Sequence, residues 1–199
     1  MYKHIGKRIL DIIIATMMLP FILIIFALIS PIIYFEDKGP VIYKSKRLGK
    51  NMKVFPMYKF RTMKVNAPDI RNADGSTFNS SSDNRMTKIG KFLRKTSIDE
   101  IPQIFNVFIG QMSFIGPRPD LESQKDIYFK ENMNIQKFNV KPGITGYAQV
   151  NGRNNITWQE KNKLDCLYVN KLSFLIDVEI FFKTIRNVLL SKNINGKGE

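Results

Sequence analysis

Asp99 and Glu100 stand side by side in the run Ser97-Ile98-Asp99-Glu100-Ile101-Pro102-Gln103. Arg94 lies just upstream, and Arg118 lies downstream in Gly116-Pro117-Arg118-Pro119. Aspartate can act as a nucleophile toward phosphorus, and arginine is the side chain best shaped to hold phosphate oxygens. Neighbouring residues on a helix point about 100° apart, so the two carboxylates can address two sides of one substrate. A helix start favours anions through its free N–H groups and macrodipole, which suits an ionised Asp99 and a nearby phosphate. A carboxylate attacking a phosphoryl group must overcome charge repulsion, which magnesium and arginine offset. Taken alone, the acid pair is a weak signal. Most adjacent Asp-Glu pairs are solvated helix starts, and Ser97-Ile98-Asp99-Glu100 matches a capping box that would give Glu100 a purely structural task. Arginines among prolines are most often turn or surface residues.

The elements that must position these residues follow from pattern. Val41–Lys46 and Lys53–Phe60 are β-rich, with Leu48-Gly49-Lys50-Asn51 between them, which predicts a hairpin. Ile89–Lys95 reads as a short basic helix. Ile98, Ile101, Phe105 and Phe108 recur at helical spacing. Pro102 is tolerated only in a first turn, so that helix is expected to start near Ser97–Asp99. Asn66–Asn84 is polar and reads as a long surface loop, either a lid or an inert insertion. Leu121–Asn139 reads as a polar helix, Pro142–Gly146 as a turn-rich loop and Trp158–Val169 as a helix. Val178, Phe181, Phe182, Ile185, Val188 and Leu189 form an apolar helical stripe facing a core or a membrane. Lys192–Glu199 reads as a loose tail.

From Ile12 to Phe35 the chain carries no charge. As a helix this segment would measure roughly 36 Å, enough to cross a bilayer core. It is too long for a secretory signal, and no small-residue cleavage site follows it. A spanning helix is the simple reading, yet basic residues flank both ends: Lys3, Lys7 and Arg8 before it, Lys38, Lys44, Lys46, Arg47 and Lys50 after it. A spanning helix usually has one basic side. Two basic flanks, with Pro20 inside the run and Ser30-Pro31 near its end, favour a segment that dips in and returns.

Composition bounds the chemistry. The 199 residues are 44% hydrophobic, which suits one domain with a real core in addition to the membrane segment. The formal charge of +14 points to a polyanionic partner: nucleic acid, anionic lipid or a phosphorylated substrate. Cys166 is the only cysteine and His4 the only histidine, so an intramolecular disulfide is excluded and a Ser-His-Asp triad or a histidine-rich zinc site is disfavoured. A metal here would be a hard cation held by carboxylate and phosphate, with magnesium the natural choice.

Taken together, the ordered blocks resemble the small monotopic phosphoglycosyl transferases, the bacterial sugar transferase family. The blocks begin with Lys7-Arg8-Ile9-Leu10-Asp11 and Tyr58-Lys59-Phe60-Arg61-Thr62-Met63. They continue with Arg85, Thr87, Gly90, Leu93-Arg94 and Ser97–Gln103, then Asn106-Val107 and Gly110–Pro119. Lys141–Gly146, Gln149–Asn154, Trp158 and Asp165–Val169 complete the set, so nearly the whole chain is covered. The resemblance implies an α+β, mostly helical fold. It further implies a re-entrant helix–break–helix over residues 1–38 and a cytoplasmic catalytic domain over 39–199 with a small hairpin and amphipathic interfacial helices. The implied reaction moves a sugar 1-phosphate from a UDP-sugar to a polyprenol phosphate, releasing UMP, on the cytoplasmic face of the bacterial plasma membrane. Mapped onto this chain, Asp99 would carry the phosphosugar covalently and Glu100 would act as acid or base. Mg2+ would sit beside Asp99, and Arg94, Arg118, Lys59, Arg85 and Arg153 would hold phosphate. For the last three a structural ion pair is an equal alternative. Membrane lipid is an implied partner and nucleic acid is not; a homodimer is left open. The family often breaks its membrane segment at a central Ser-Pro, whereas here Ser30-Pro31 lies late and Leu19-Pro20 early.

Two other classes compete. A membrane-tethered polyanion-binding module would use the same net charge without turnover and show salt-sensitive binding, but the basic residues are spread rather than gathered in a nucleic-acid motif. A two-carboxylate glycosidase is disfavoured because adjacent helical acids can hardly flank one glycosidic bond.

Overall fold

Alternation along the two β-rich segments produces the expected hairpin. In the computed structural model, which describes residues 2–70, 83–152 and 156–190, β1 (Ile42–Leu48) pairs antiparallel with β2 (Val54–Phe60), from Ile42 opposite Phe60 to Leu48 opposite Val54. Phe55, Met57 and Phe60 of β2 are buried. Pro56 is tolerated because the sheet has only two strands, so its missing N–H interrupts no further ladder.

The apolar N-terminal segment forms α1 (Lys7–Asp37), helical through both Pro20 and Pro31. A change of direction at either proline would be a bend within the helix, not a gap in it. Asp11, Ala15, Ile22 and Ile33 are its buried residues, while Met17, Phe21, Leu23, Leu28 and Phe35 are exposed. One side of α1 therefore packs on the rest of the chain along its length and the remainder is an apolar surface. Ala15 and Ile22 join Phe55, Met57, Ile104, Val107 and Met112 in one core cluster, and Ile33 joins Phe60 and Leu93 in another.

α2 (Lys88–Thr96) forms as expected, capped by the Thr87 hydroxyl, which accepts from the Gly90 N–H at 2.9 Å. The expected helix start and capping box at Ser97 do not form. Ser97 adopts a left-handed conformation (φ 58°), ends α2 and makes no side-chain cap bond. A 3₁₀ turn, Ile98–Glu100, follows, and α3 (Gln103–Phe108) begins only after Pro102. The proline contributes no N–H to the turn, and the Glu100 carboxylate that would have closed the box is drawn to cations elsewhere.

The polar stretch Leu121–Asn139 is not one helix. It divides into a 3₁₀ turn at Glu122–Gln124, α4 (Lys125–Lys130) and a 3₁₀ turn at Gln136–Asn139. The break lets Tyr128 and Phe138 pack edge-to-face at 5.1 Å and bury together with Leu48, a contact that one straight helix could not make. The turn-rich loop contains a strand: β4 (Gly143–Thr145) pairs parallel with β3 (Ser113–Ile115). Gly143 is required there, because a Cβ would stand 2.1 Å from the Gly116 nitrogen. After α5 (Tyr147–Asn151) come the two expected helices, α6 (Trp158–Lys171) and α7 (Phe174–Leu189). In α7, Ile180 packs with Tyr168 and Val169, while Phe181, Phe182, Val188 and Leu189 are exposed. The polar loop at 66–84 and the C-terminal tail lie largely outside the described residues.

Candidate active site

The strand end of β2, the 3₁₀ turn and the loop after β3 converge on one cluster of charges. Asn106 of α3 locks the first two together. Its Oδ1 accepts from the Tyr58 N–H at 2.9 Å, and its Nδ2 donates to the Pro56 carbonyl at 2.7 Å. That pins α3, and the turn before it, over the end of β2 that carries Lys59. α2 is fixed by close backbone approach: a Cβ on Gly90 would sit 2.0 Å from the Thr62 carbonyl oxygen. This proximity lets the Arg94 Nε donate to Thr62 Oγ1 at 2.9 Å.

The Arg118 loop is tied down on both sides. Upstream, Asp11 of α1 accepts from the Ser113 hydroxyl and the Phe114 N–H, both at 3.0 Å. Downstream, Asp120 accepts from Tyr128 at 2.5 Å and pairs with Lys137 at 2.9 Å. Its backbone carbonyl accepts from the Leu48 N–H at 2.9 Å. Arg47 of β1 donates to the Pro119 carbonyl at 3.2 Å and to Ser45 Oγ at 3.0 Å.

Within this frame Glu100 Oε1 accepts from Lys59 Nζ at 2.7 Å and from the Arg118 guanidinium at 3.0 Å. Burial opposes ionisation of Glu100, but Lys59 and Arg118 outweigh it and hold the carboxyl well below the usual carboxylate range. Asp99 behaves oppositely. Lys59 Nζ approaches its Oδ2 only to 3.9 Å, and among the described residues its carboxylate accepts no hydrogen bond. Burial pushes Asp99 up to about 6, with Glu100 adding to the rise and Lys59, Arg94 and Arg118 opposing it. Arg94 feels the converse: burial disfavours its charge, and Asp99 is the first of the acids that restore it.

The structure thus brings together Asp99, Glu100, Lys59, Arg94 and Arg118. Arg85 sits apart in an ion pair, with its Nη2 donating to Asp83 at 2.6 Å and its Nη1 to the Pro68 carbonyl at 2.8 Å. Its charge is nonetheless felt by Arg94. Arg153 lies outside the described residues. Sequence reasoning assigned no task to Thr62, Asn106, Asp120 or Arg47. Thr62 and Asn106 lie inside identified blocks and Asp120 directly follows one, which was the only signal for them, and Arg47 was read merely as flanking charge. Among the described residues no three Asp, Glu, His or Cys side chains gather into a protein-only metal cage. That suits magnesium, which commonly uses one or two carboxylates together with substrate phosphates. Of the two acids, Asp99 is the one without a hydrogen bond among the described residues.

Chemically, the cluster offers a carboxylate without a hydrogen bond, with Lys59, Arg94 and Arg118 acting on it. Such a site accepts a phosphate or diphosphate and sets a nucleophile against it. Comparison with known proteins agrees in kind. The family model described as bacterial sugar transferase matches residues 2–191. Galactosyl transferase CpsE of Streptococcus agalactiae is 42% identical over 198 residues, covering 95% of this chain and 43% of that protein. The uncharacterized sugar transferase EpsL of Bacillus subtilis is 39% identical over 188 residues, covering 94% of this chain and 89% of that one. UDP-glucose:undecaprenyl-phosphate glucose-1-phosphate transferase of Klebsiella pneumoniae is 38% identical over 193 residues, 94% of this chain and 41% of that protein. The chain therefore spans less than half the length of two of these relatives and most of the third.

Proposed function

The chain belongs to the bacterial sugar transferase family, and from that premise we propose that it is a phosphoglycosyl transferase. It moves a sugar 1-phosphate from a UDP-sugar to undecaprenyl phosphate, releasing UMP and leaving a polyprenyl-diphosphate-sugar. The named activity of the Klebsiella relative supports this donor and acceptor class. The observation that carries the reading is the contrast within the acid pair: Glu100 is engaged by two cations, while Asp99 is left without a hydrogen bond among them.

In the first half-reaction the ionised Asp99 attacks the sugar-bound phosphorus, and the bond from that phosphorus to the bridging oxygen breaks. UMP departs with that oxygen, and the phosphosugar is esterified to Asp99. Lys59, Arg94 and Arg118 balance the charge on the phosphate oxygens, with Arg85 contributing from its ion pair and Arg153 assigned the same task from sequence. In the second half-reaction an oxygen of the acceptor phosphate attacks the same phosphorus and frees Asp99. Glu100 is the carboxylate assigned to take the proton of a singly ionised acceptor phosphate. That task requires the substrate phosphates to draw Lys59 and Arg118 off it, since while they hold it its basicity is low. Asp99 and the donor phosphates would hold magnesium, which would supply further charge neutralisation.

The membrane segment is re-entrant in this reading, and the enzyme lies on the cytoplasmic face. Both ends of α1 are held by the same body. Arg8 donates to the Val107 carbonyl at 2.6 Å and the Phe108 carbonyl at 2.9 Å, while Arg61 bonds Asp37 and, at 3.2 Å, the Ile33 carbonyl. A crossing helix would have to draw part of this polar body through the bilayer.

Protein incubated with a panel of UDP-sugars and no acceptor tests the covalent step. A phosphosugar mass should appear on the peptide containing Asp99, with UMP released in equal amount. An adduct on a different residue, or exchange only when donor and acceptor are both present, would overturn it.

A further inference from the structure

Arg47 is a guanidinium without an acid. Its recorded partners are neutral, Ser45 Oγ at 3.0 Å and the Pro119 carbonyl at 3.2 Å, and no carboxylate lies within ion-pair distance among the described residues. The two acids whose charge reaches it are already engaged. Glu100 is held by Lys59 and Arg118, and Asp120 by Lys137 and Tyr128. The carbonyl it holds belongs to Pro119, the residue directly after another cation, Arg118. Placing a half-buried guanidinium beside a second one, with no counter-ion, is unfavourable unless an anion joins them. Two adjacent guanidinium groups match the oxygens of one phosphate, each able to donate in a fork.

Position selects which phosphate. Lys59, which reaches both acids, lies opposite Tyr43 in the hairpin, and Arg47 lies further along β1, opposite Phe55. Arg118 is shared, since it touches Glu100 and adjoins Pro119, whose carbonyl Arg47 holds. The phosphorus attacked by Asp99 therefore belongs among Lys59, Arg94 and Arg118, and the other phosphate of the diphosphate belongs on the Arg47 side.

We propose that Arg47 and Arg118 clamp the non-reacting, nucleoside-side phosphate of the donor, making Arg47 a substrate-binding residue of this enzyme. The clamp rests on the UDP-sugar reading above. That phosphate is the leaving group: charge grows on it as the bond to the bridging oxygen breaks, so loss of the clamp raises KM and also lowers kcat for UMP release.

UMP release is measured first with the unaltered protein in nanodiscs, using the UDP-sugar it accepts, together with inhibition by added UMP. Arg47→Met should raise the donor KM and weaken UMP inhibition by about tenfold or more, and should lower kcat as well. Arg47→Lys, which keeps the charge but loses the fork, should fall between. Ser45→Ala, which frees the guanidinium but keeps it, should raise KM by about two- to threefold. If Arg47→Met does not fold, Arg47→Lys and Ser45→Ala carry the test. An unchanged KM and unchanged UMP inhibition in the folded variants overturn the clamp. So does a fall in kcat with donor KM and UMP inhibition both unchanged, which would make Arg47 only a brace for the Pro117–Pro119 loop. If the unaltered protein releases UMP from no UDP-sugar, the donor reading itself falls and takes the clamp with it.

Discussion

Two charge clusters in this protein look alike on paper and differ in access. One gathers Asp99, Glu100, Lys59 and Arg118; the other gathers Asp120, Asp165, Lys137 and Tyr128. Each contains an aspartate that burial pushes up to about 6. In the second cluster Lys137 bridges Asp120 at 2.9 Å and Asp165 at 3.1 Å, and its side chain is 3% exposed. The rings of Phe138 and Trp158 pack on Tyr128 and close the site. In the first, the Arg118 side chain is 47% exposed, and Asp99 has no hydrogen bond to satisfy it. A displaced carboxyl titration is therefore not by itself a mark of catalysis. What separates the clusters is whether a phosphate can reach the cations. The closed cluster instead holds Asp120, and through it the loop that aims Arg118.

The sharpest break between the clusters comes from removing each aspartate's charge. Asp99→Asn should lower UMP release by about 10³-fold or more and abolish the covalent adduct. Asp165→Asn should leave turnover of folded protein within about threefold. Equal losses in both variants would erase the distinction drawn here. The next contrast exchanges the cations. Lys137→Met leaves two buried acids without their partner and should destabilise the fold by about 3–5 kcal/mol, read by denaturant unfolding in detergent. Lys59→Met should cost about 1–2 kcal/mol in transition-state stabilisation, read as kcat/KM, with little change in melting temperature.

The smallest contrast is in pH. Asp165 faces Lys137, with Asp120 and Lys161 also acting on it, and its folded titration near 6 lies above the ordinary aspartate value. The folded state therefore holds that proton more tightly than the unfolded state. Its stabilising contribution is present below the unfolded value near 4 and is lost as pH rises to about 6. Asp165→Asn should remove its share of this dependence and make the stability slope between about pH 4 and 6 less negative than in the unaltered protein, where Asp99 contributes in the same sense. An identical slope in the variant would assign it to another group.

Local pattern made much of the scaffold legible. The hairpin, α2, α6 and α7 each follow from alternation, helical periodicity or an N-cap within a dozen residues. The failures share one cause. Ser97 and Glu100 satisfy a capping box locally, but Lys59 and Arg118, 41 and 18 residues away in sequence, offer Glu100 stronger partners. Leu121–Asn139 has enough helical character for one helix, but Tyr128 and Phe138 bury better across a break. β4 is three residues long and exists only because β3 lies beside it.

By itself the order of residues determined the chemistry on offer: an acid pair among arginines, a long uncharged segment with basic flanks, and a family likeness across nearly the whole chain. Only the folded arrangement decided which acid is engaged and which is free, and which arginines surround them. Hydrogen-bond competition and desolvation depend on distances through space, and partners tens of residues apart meet only after the hairpin, α3 and the Arg118 loop have packed.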